Sequence, residues 1–75
     1  MIKTENIVEF LRAAPFKPFD IHTSGRRVYT VEHPEFVMRT HAGNVIYYIT
    51  DDDRPIMIAL TQIVSLEIAN SRQSA

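Results

Sequence analysis

His22, His33 and His41 are the three side chains of this sequence best suited to proton transfer or metal binding near neutral pH. Asp20, Glu32 and Glu35 lie close to them along the chain. The densest group is Val31-Glu32-His33-Pro34-Glu35-Phe36, which sets a histidine between two carboxylates. A metal centre would need ligand atoms to converge within about 2.0–2.2 Å of one ion. Glu32 and His33 are direct neighbours, and neighbours on a strand point to opposite faces. His22 and His41 could meet only through a cross-strand pairing, and neither His-x-His nor His-Glu-x-x-His spacing occurs. No catalytic, cofactor-binding or metal-ligating residue is therefore assigned. "HPEF" reads instead as a corner, because Pro34 fixes its own φ and removes a backbone donor between two strands. Phe36 should then begin the next strand pointing inward, with its charged neighbours in water.

The remaining polar motifs are weaker still. Asp51-Asp52-Asp53 lacks the spaced oxygen ligands and central glycine of a calcium loop and reads as a solvated hairpin end. Pro15-Phe16-Lys17-Pro18 has P-x-x-P spacing, but its direct junction with the following strand marks a rigid connector, with Phe16 and Phe19 in the core. Tyr29, Tyr47 and Tyr48 could stack on bases or pack against one another across strands. With Tyr29, the small basic set Lys17, Arg26 and Arg27 forms a candidate nucleic-acid contact. Neither a serine–histidine nucleophile motif nor a phosphate-binding glycine loop is present.

These residues must be positioned by one short helix and a run of strands. Thr4 can cap a helix over about residues 4–14, with Glu5 in the first turn, where negative charge suits the dipole. Ile7, Phe10, Leu11 and Ala14 follow at helical spacing until Pro15 ends the run. The period then changes to two. Ser24-Gly25 predicts a tight hairpin pairing Thr23 with Arg26 and Ile21 with Val28. Further strands are expected from about Arg26 to Glu32, Phe36 to His41, Val45 to Thr50, Ile56 to Leu60 and Ile63 to Ile68. The tail, Asn70 to Ala75, is polar and expected to be flexible. Short connections predict antiparallel pairing in sequence order. The expected fold is α+β and mainly β: an N-terminal helix, then a bent five- to six-stranded antiparallel meander, open or closed as a small SH3/Sm-like barrel.

Two adjacent strands break the alternation of a sheet with one wet face. "VIYYI" carries Val45, Tyr47 and Ile49 on one side and Ile46 and Tyr48 on the other; "IMIAL" sets Ile56, Ile58 and Leu60 against Met57 and Ala59. Each large side chain left in water forgoes roughly 1.5–3 kcal/mol. Either the helix and the barrel's curvature cover both sides, or another subunit does. Ile46, Tyr48 and Met57 are the candidate self-association residues, and a two-fold homodimer is the simplest assembly. Asp51 to Asp53 would then act as charged gatekeepers beside an aggregation-prone strand.

A chain of 75 residues makes one domain near the lower limit for a self-sufficient core. Eight basic and nine acidic side chains nearly cancel, which gives no general attraction to nucleic acid or anionic lipid. Cysteine is absent, so disulfides and thiolate ligands are excluded and a reducing cytosol fits. The opening MIKTENIVEF lacks the apolar run of a signal peptide, and no later stretch approaches a membrane span. A cytoplasmic location is expected.

Pro15 to Val37, "PFKPFDIHTSGRRVYTVEHPEFV", resembles a group of short, uncharacterised bacterial proteins. They share a helix, Pro-Phe-x-Pro-Phe-x-Ile-His, Gly-Arg, His-Pro-Glu-Phe and a closing apolar segment like Ile63 to Ile68. The resemblance extends over about Val8 to Ile68 and implies a bacterial source without implying an activity. A more distant likeness is to Sm-like RNA-binding barrels, which also place a helix before a bent meander. This chain carries one strand more, and Leu60-Thr61-Gln62 stands where their RNA-contacting signature would fall. The leading expectation is a non-enzymatic, self-associating module that binds a protein partner. The alternatives are an Sm-like nucleic-acid-binding module and a small metal-dependent enzyme using the histidines.

Overall fold

The computed structural model describes residues 2–69. It contains one helix and six strands: α1 (Thr4–Arg12), β1 (Phe19–Thr23), β2 (Val28–Val31), β3 (Val37–Arg39), β4 (Val45–Ile49), β5 (Pro55–Ala59) and β6 (Ile63–Ile68). The expected tail lies outside the described residues. The fold is α+β, mainly β, as its alternating and helical periods predict.

Two three-stranded antiparallel sheets form, in the orders β2-β1-β6 and β3-β4-β5. Pairing in strict sequence order therefore fails at two places and gains one. β2 does not pair with β3, nor β5 with β6, while the first and last strands pair from Phe19↔Ile68 to Thr23↔Ile63. Each missing ladder coincides with a single turn of 3-10 helix, Pro34–Phe36 and Leu60–Gln62. Such a turn curls the chain too tightly for the flanking strands to remain side by side. The barrel is bent along these two seams and does not close.

The "HPEF" corner is the first of these turns. Pro34 opens it, and the Phe36 amide donates to the His33 carbonyl at 3.0 Å. Phe36 lies in the turn and not in the strand, half-buried against the core. The second turn stitches the sheets together. The Leu60 amide donates to Asn44, in the β3–β4 loop, and the Ser24 amide, in the β1–β2 loop, donates to Gln62.

Helix α1 begins at Thr4, and its cap falls one residue earlier than expected. Lys3 takes the N-cap position; its amide donates to Asn6 Oδ1 at 2.9 Å, and the Asn6 amide returns a bond to the Lys3 carbonyl. Thr4, freed from capping, donates its hydroxyl to the Gly43 carbonyl at 2.7 Å and ties the helix to the β3–β4 loop. The helix ends at Arg12, short of Ala14. Ile7 is fully buried, and Phe10 stacks on Phe19 with ring centres 5.0 Å apart. Phe16, in the connector, meets Phe19 edge-on. Phe19, Ile21, Val31, Ile46 and Ile58 complete the buried centre between the sheets.

The β1–β2 hairpin corrects the expected register. Thr23 pairs with Arg27 and Ile21 with Tyr29, so the loop holds three residues and not two. The left-handed residue is Arg26, φ +62°, while Gly25 has a negative φ and open space around it. The β4–β5 loop repeats this geometry with Asp53, φ +63°. In the β3–β4 loop the left-handed position is Gly43, φ +77°, where a Cβ would sit 3.1 Å from the Thr4 hydroxyl. Left-handed backbone costs an ordinary residue roughly 1–2 kcal/mol. Three substitutions should therefore separate in a urea titration. Gly43→Ala should lose about 1–2 kcal/mol, Arg26→Gly should be neutral or gain up to about 1 kcal/mol, and Gly25→Ala should not destabilise. Equal behaviour of the two glycine variants would refute the loop geometry.

Candidate functional site

Tyr48 holds the open seam between β2 and β3. Backbone hydrogen bonding alternates along an antiparallel pair, and Thr23 and Arg27 form a bonded pair. Counting along the ladder, Thr30, opposite Asp20, turns its carbonyl away from β1 towards the seam. The Tyr48 hydroxyl, on β4, donates to that carbonyl at 2.8 Å. The Thr30 hydroxyl donates in turn to Asp20 Oδ1 at 2.6 Å, and Asp20 is completely buried. The Tyr48 and Tyr29 rings lie 5.3 Å apart on the inner side.

This placement decides the candidate self-association set. Ile46 is 1% exposed and faces Ile58 across β4 and β5; Tyr48 faces Ile56 on the same inner side. Met57 belongs to the opposite face, 64% exposed, and pairs with Tyr47. Ile46 and Tyr48 are thus core and seam residues, and the three do not share a surface. The two-sided apolar pattern was correctly legible; which side faced water was not.

The outer face of the second sheet is apolar across its width. Met38, Tyr47 and Met57 form a row over β3, β4 and β5, with Met38 57% exposed. Ile49 opposite Pro55 flanks the row at one end, and Val45 opposite Ala59 at the other. The first sheet differs: the side away from Phe19 and Ile21 carries His22, Thr30, Ser65 and Glu67 around the buried Asp20, a polar set. Helix α1 buries Ile7 in the core and leaves Met38 and Met57 open.

Charge is segregated between the two ends of the strands. At one end, the β2–β3 corner and the β4–β5 loop bring together Glu32, Glu35, Asp51, Asp52 and Asp53, relieved by Arg54, whose Nε lies 3.2 Å from Asp52. At the other, the loops over residues 24–27, 39–44 and 60–62 carry Arg26, Arg27, Arg39 and His41, while Lys3 and Glu5 of the helix start border Gly43 and Asn44 there. Between the β1–β2 loop, β5 and the second 3-10 turn opens a mouth of about 360 Å³, lined by Thr23, Ser24, Gly25, Arg27, Tyr29, Met57, Ile58 and Gln62. Of the candidate nucleic-acid residues, Arg27 and Tyr29 line this mouth and Arg26 stands beside it. Lys17 lies elsewhere, in a hollow with Glu9, Phe10 and Ile68.

The histidines are dispersed. His22 Nε2 lies 3.4 Å from Glu67 Oε1, close enough for an ion pair but not aligned as a hydrogen bond. His33 meets the Phe36 ring edge-on in the corner, and His41 is exposed in the β3–β4 loop. Among the described residues, no three histidine, aspartate or glutamate side chains are grouped to hold a metal ion. No helix among them is long and apolar enough to cross a membrane. In comparisons with known families, curated proteins and solved structures, no family model, no curated protein and no solved structure matches the chain.

Burial first, then the Asp51 and Glu32 carboxylates, push the Tyr48 phenol above its ordinary 10.0. A phenol whose folded pKa is raised favours folding below its unfolded pKa and loses that contribution as pH climbs through the folded value. Stability should therefore fall above about pH 10, and the part due to Tyr48 should vanish in Tyr48→Phe. At neutral pH that variant should cost about 1–2 kcal/mol, because the Thr30 carbonyl loses its partner. Denaturant titrations from pH 7 to 11 on both proteins check the two statements.

Proposed function

We propose that this protein is a non-enzymatic interaction module that self-associates through the outer face of its second sheet. The row Met38–Tyr47–Met57 is the observation that carries this reading. Methionine and tyrosine are adaptable, partly apolar side chains of the kind enriched at protein interfaces. The strands beneath them are already paired on their inner side with the core, so the exposed apolar surface is not a consequence of incomplete folding.

Magnitudes set the character of the contact. Two strands of five residues and one of three present a face of at most roughly 14 Å by 17 Å. That is well below the ~800 Å² each partner buries in a standard interface. The apolar face alone supports only weak association. A two-fold arrangement that lays two such faces together with their strands antiparallel places the acidic loops of one copy over the basic loops of the other. Charge matching at both ends then adds orientation and encounter rate to the apolar contact, and makes it sensitive to salt. The same surface is the natural place for a protein partner, for which the second copy competes.

Sedimentation equilibrium from low to high micromolar concentration should show a monomer–dimer equilibrium, weakened at high ionic strength. Met57→Lys should give monomer throughout while leaving the unfolding midpoint nearly unchanged, since its side chain is mostly in water. A wild-type protein that stays monomeric across the series at low salt would refute the reading.

A further inference from the structure

The mouth at the basic end is a preformed pocket whose rim and floor are fixed by the fold itself. Its volume of about 360 Å³ falls at the small end of the range for ligand sites, about 300–1,000 Å³. Two bonds fix its rim: the Ser24 amide donates to the Gln62 carbonyl at 2.8 Å, and the Thr23 hydroxyl donates to the Arg27 carbonyl at 3.0 Å. Among the described residues the ion pairs are His22–Glu67 and Arg54–Asp52, so the Arg27 guanidinium lines the pocket without a carboxylate opposite it. The loops around it bring further positive charge and no acid. One wall is different in kind: Tyr29, held against Tyr48, together with Ile58 and Met57.

We propose that this mouth binds the carboxyl-terminal residue of a peptide chain, its carboxylate on Arg27 and its apolar side chain against Tyr29 and the exposed Met57. The planar guanidinium fork matches a carboxylate in two parallel bonds. The Ser24 hydroxyl and the Gln62 side-chain amide can donate to the same group or to the preceding peptide. A nucleic-acid strand fits the pocket less well. Phosphate tracking needs several cations along a groove, whereas here Lys17 is remote and an apolar wall meets a single lining arginine. The site shares Met57 with the proposed self-association face, so it is tested on the monomer, which presents it whole.

The test uses acetylated tripeptides ending in Leu, Phe or Val, each with a free carboxylate and as the carboxyl-terminal amide. They are titrated into the isotopically labelled full chain at a concentration where sedimentation shows monomer. For at least one free-acid peptide, saturable amide shifts should centre on Ser24, Gly25 and Gln62. Its amide counterpart should bind at least tenfold more weakly, and so should the free acid with Arg27→Gln, whose folding is checked by circular dichroism. Uridine monophosphate and inorganic phosphate are titrated alongside. Equal binding of acid and amide, no response at the mouth to any of the three acids, or tighter binding of the nucleotide at the same residues would each overturn the proposal.

Discussion

The two sheets of this protein depend on one short chain of hydrogen bonds, from Tyr48 to the Thr30 carbonyl and from the Thr30 hydroxyl to Asp20. A closed barrel satisfies every strand edge by pairing it with the next strand. Here the 3-10 corner at Pro34–Phe36 prevents β2 and β3 from pairing, and an edge carbonyl faces inward without a ladder. A tyrosine suits the task because its ring is apolar enough to cross the core and its hydroxyl is polar enough to end on backbone. The same bond places a phenol where burial and two carboxylates resist its ionisation. Asp20 is tolerable at the centre of the first sheet because a neighbouring hydroxyl donates to it.

The helix and the second 3-10 turn act as the other two fasteners. Thr4 on Gly43, Leu60 on Asn44 and Ser24 on Gln62 join three loops around one end of the strands. These contacts lie far apart in sequence, and each uses a polar group that local rules would have spent elsewhere. Thr4 is a plausible cap that does not cap. Gly25 is a plausible turn glycine that leaves the left-handed position to Arg26. In both cases the competing tertiary contact or loop length outweighs a preference of about 1 kcal/mol.

How much could be seen in the sequence follows from which interactions are local. Periodicity located the helix and all six strands, because the spacing of Ile7, Phe10 and Leu11 or of Phe19, Ile21 and Thr23 reports burial directly. The corner at Pro34 was visible for the same reason, since proline acts on its own backbone. Pairing between β1 and β6 was not visible: it joins residues forty or more positions apart, and no short-range signal encodes it. The surface assignment failed in a specific way. The sequence of β4 and β5 shows apolar residues on both sides, but only their register against β3 and the position of the helix decide that Ile46 and Tyr48 turn inward while Met57 turns out. The mouth was half visible. Arg27 and Tyr29 were singled out by residue type, whereas Gln62 reaches them through a loop contact that only the folded chain creates.

Charge segregation gives these features a common logic. Under the proposed self-association, the aspartates of the β4–β5 loop would guard the apolar face, and repulsion confined to one end of the strands would orient whatever approaches it. A second copy would then dock with its strands antiparallel, where acidic loops meet basic ones. In the proposed ligand site, the cations of the loops at the other end would draw an anion to the mouth beside Arg27. A nearly neutral chain can thus carry ends of differing character, because the hairpin loops hold Asp51, Asp52 and Asp53 at one end of the strands and Arg26, Arg27 and Arg39 at or beside the other.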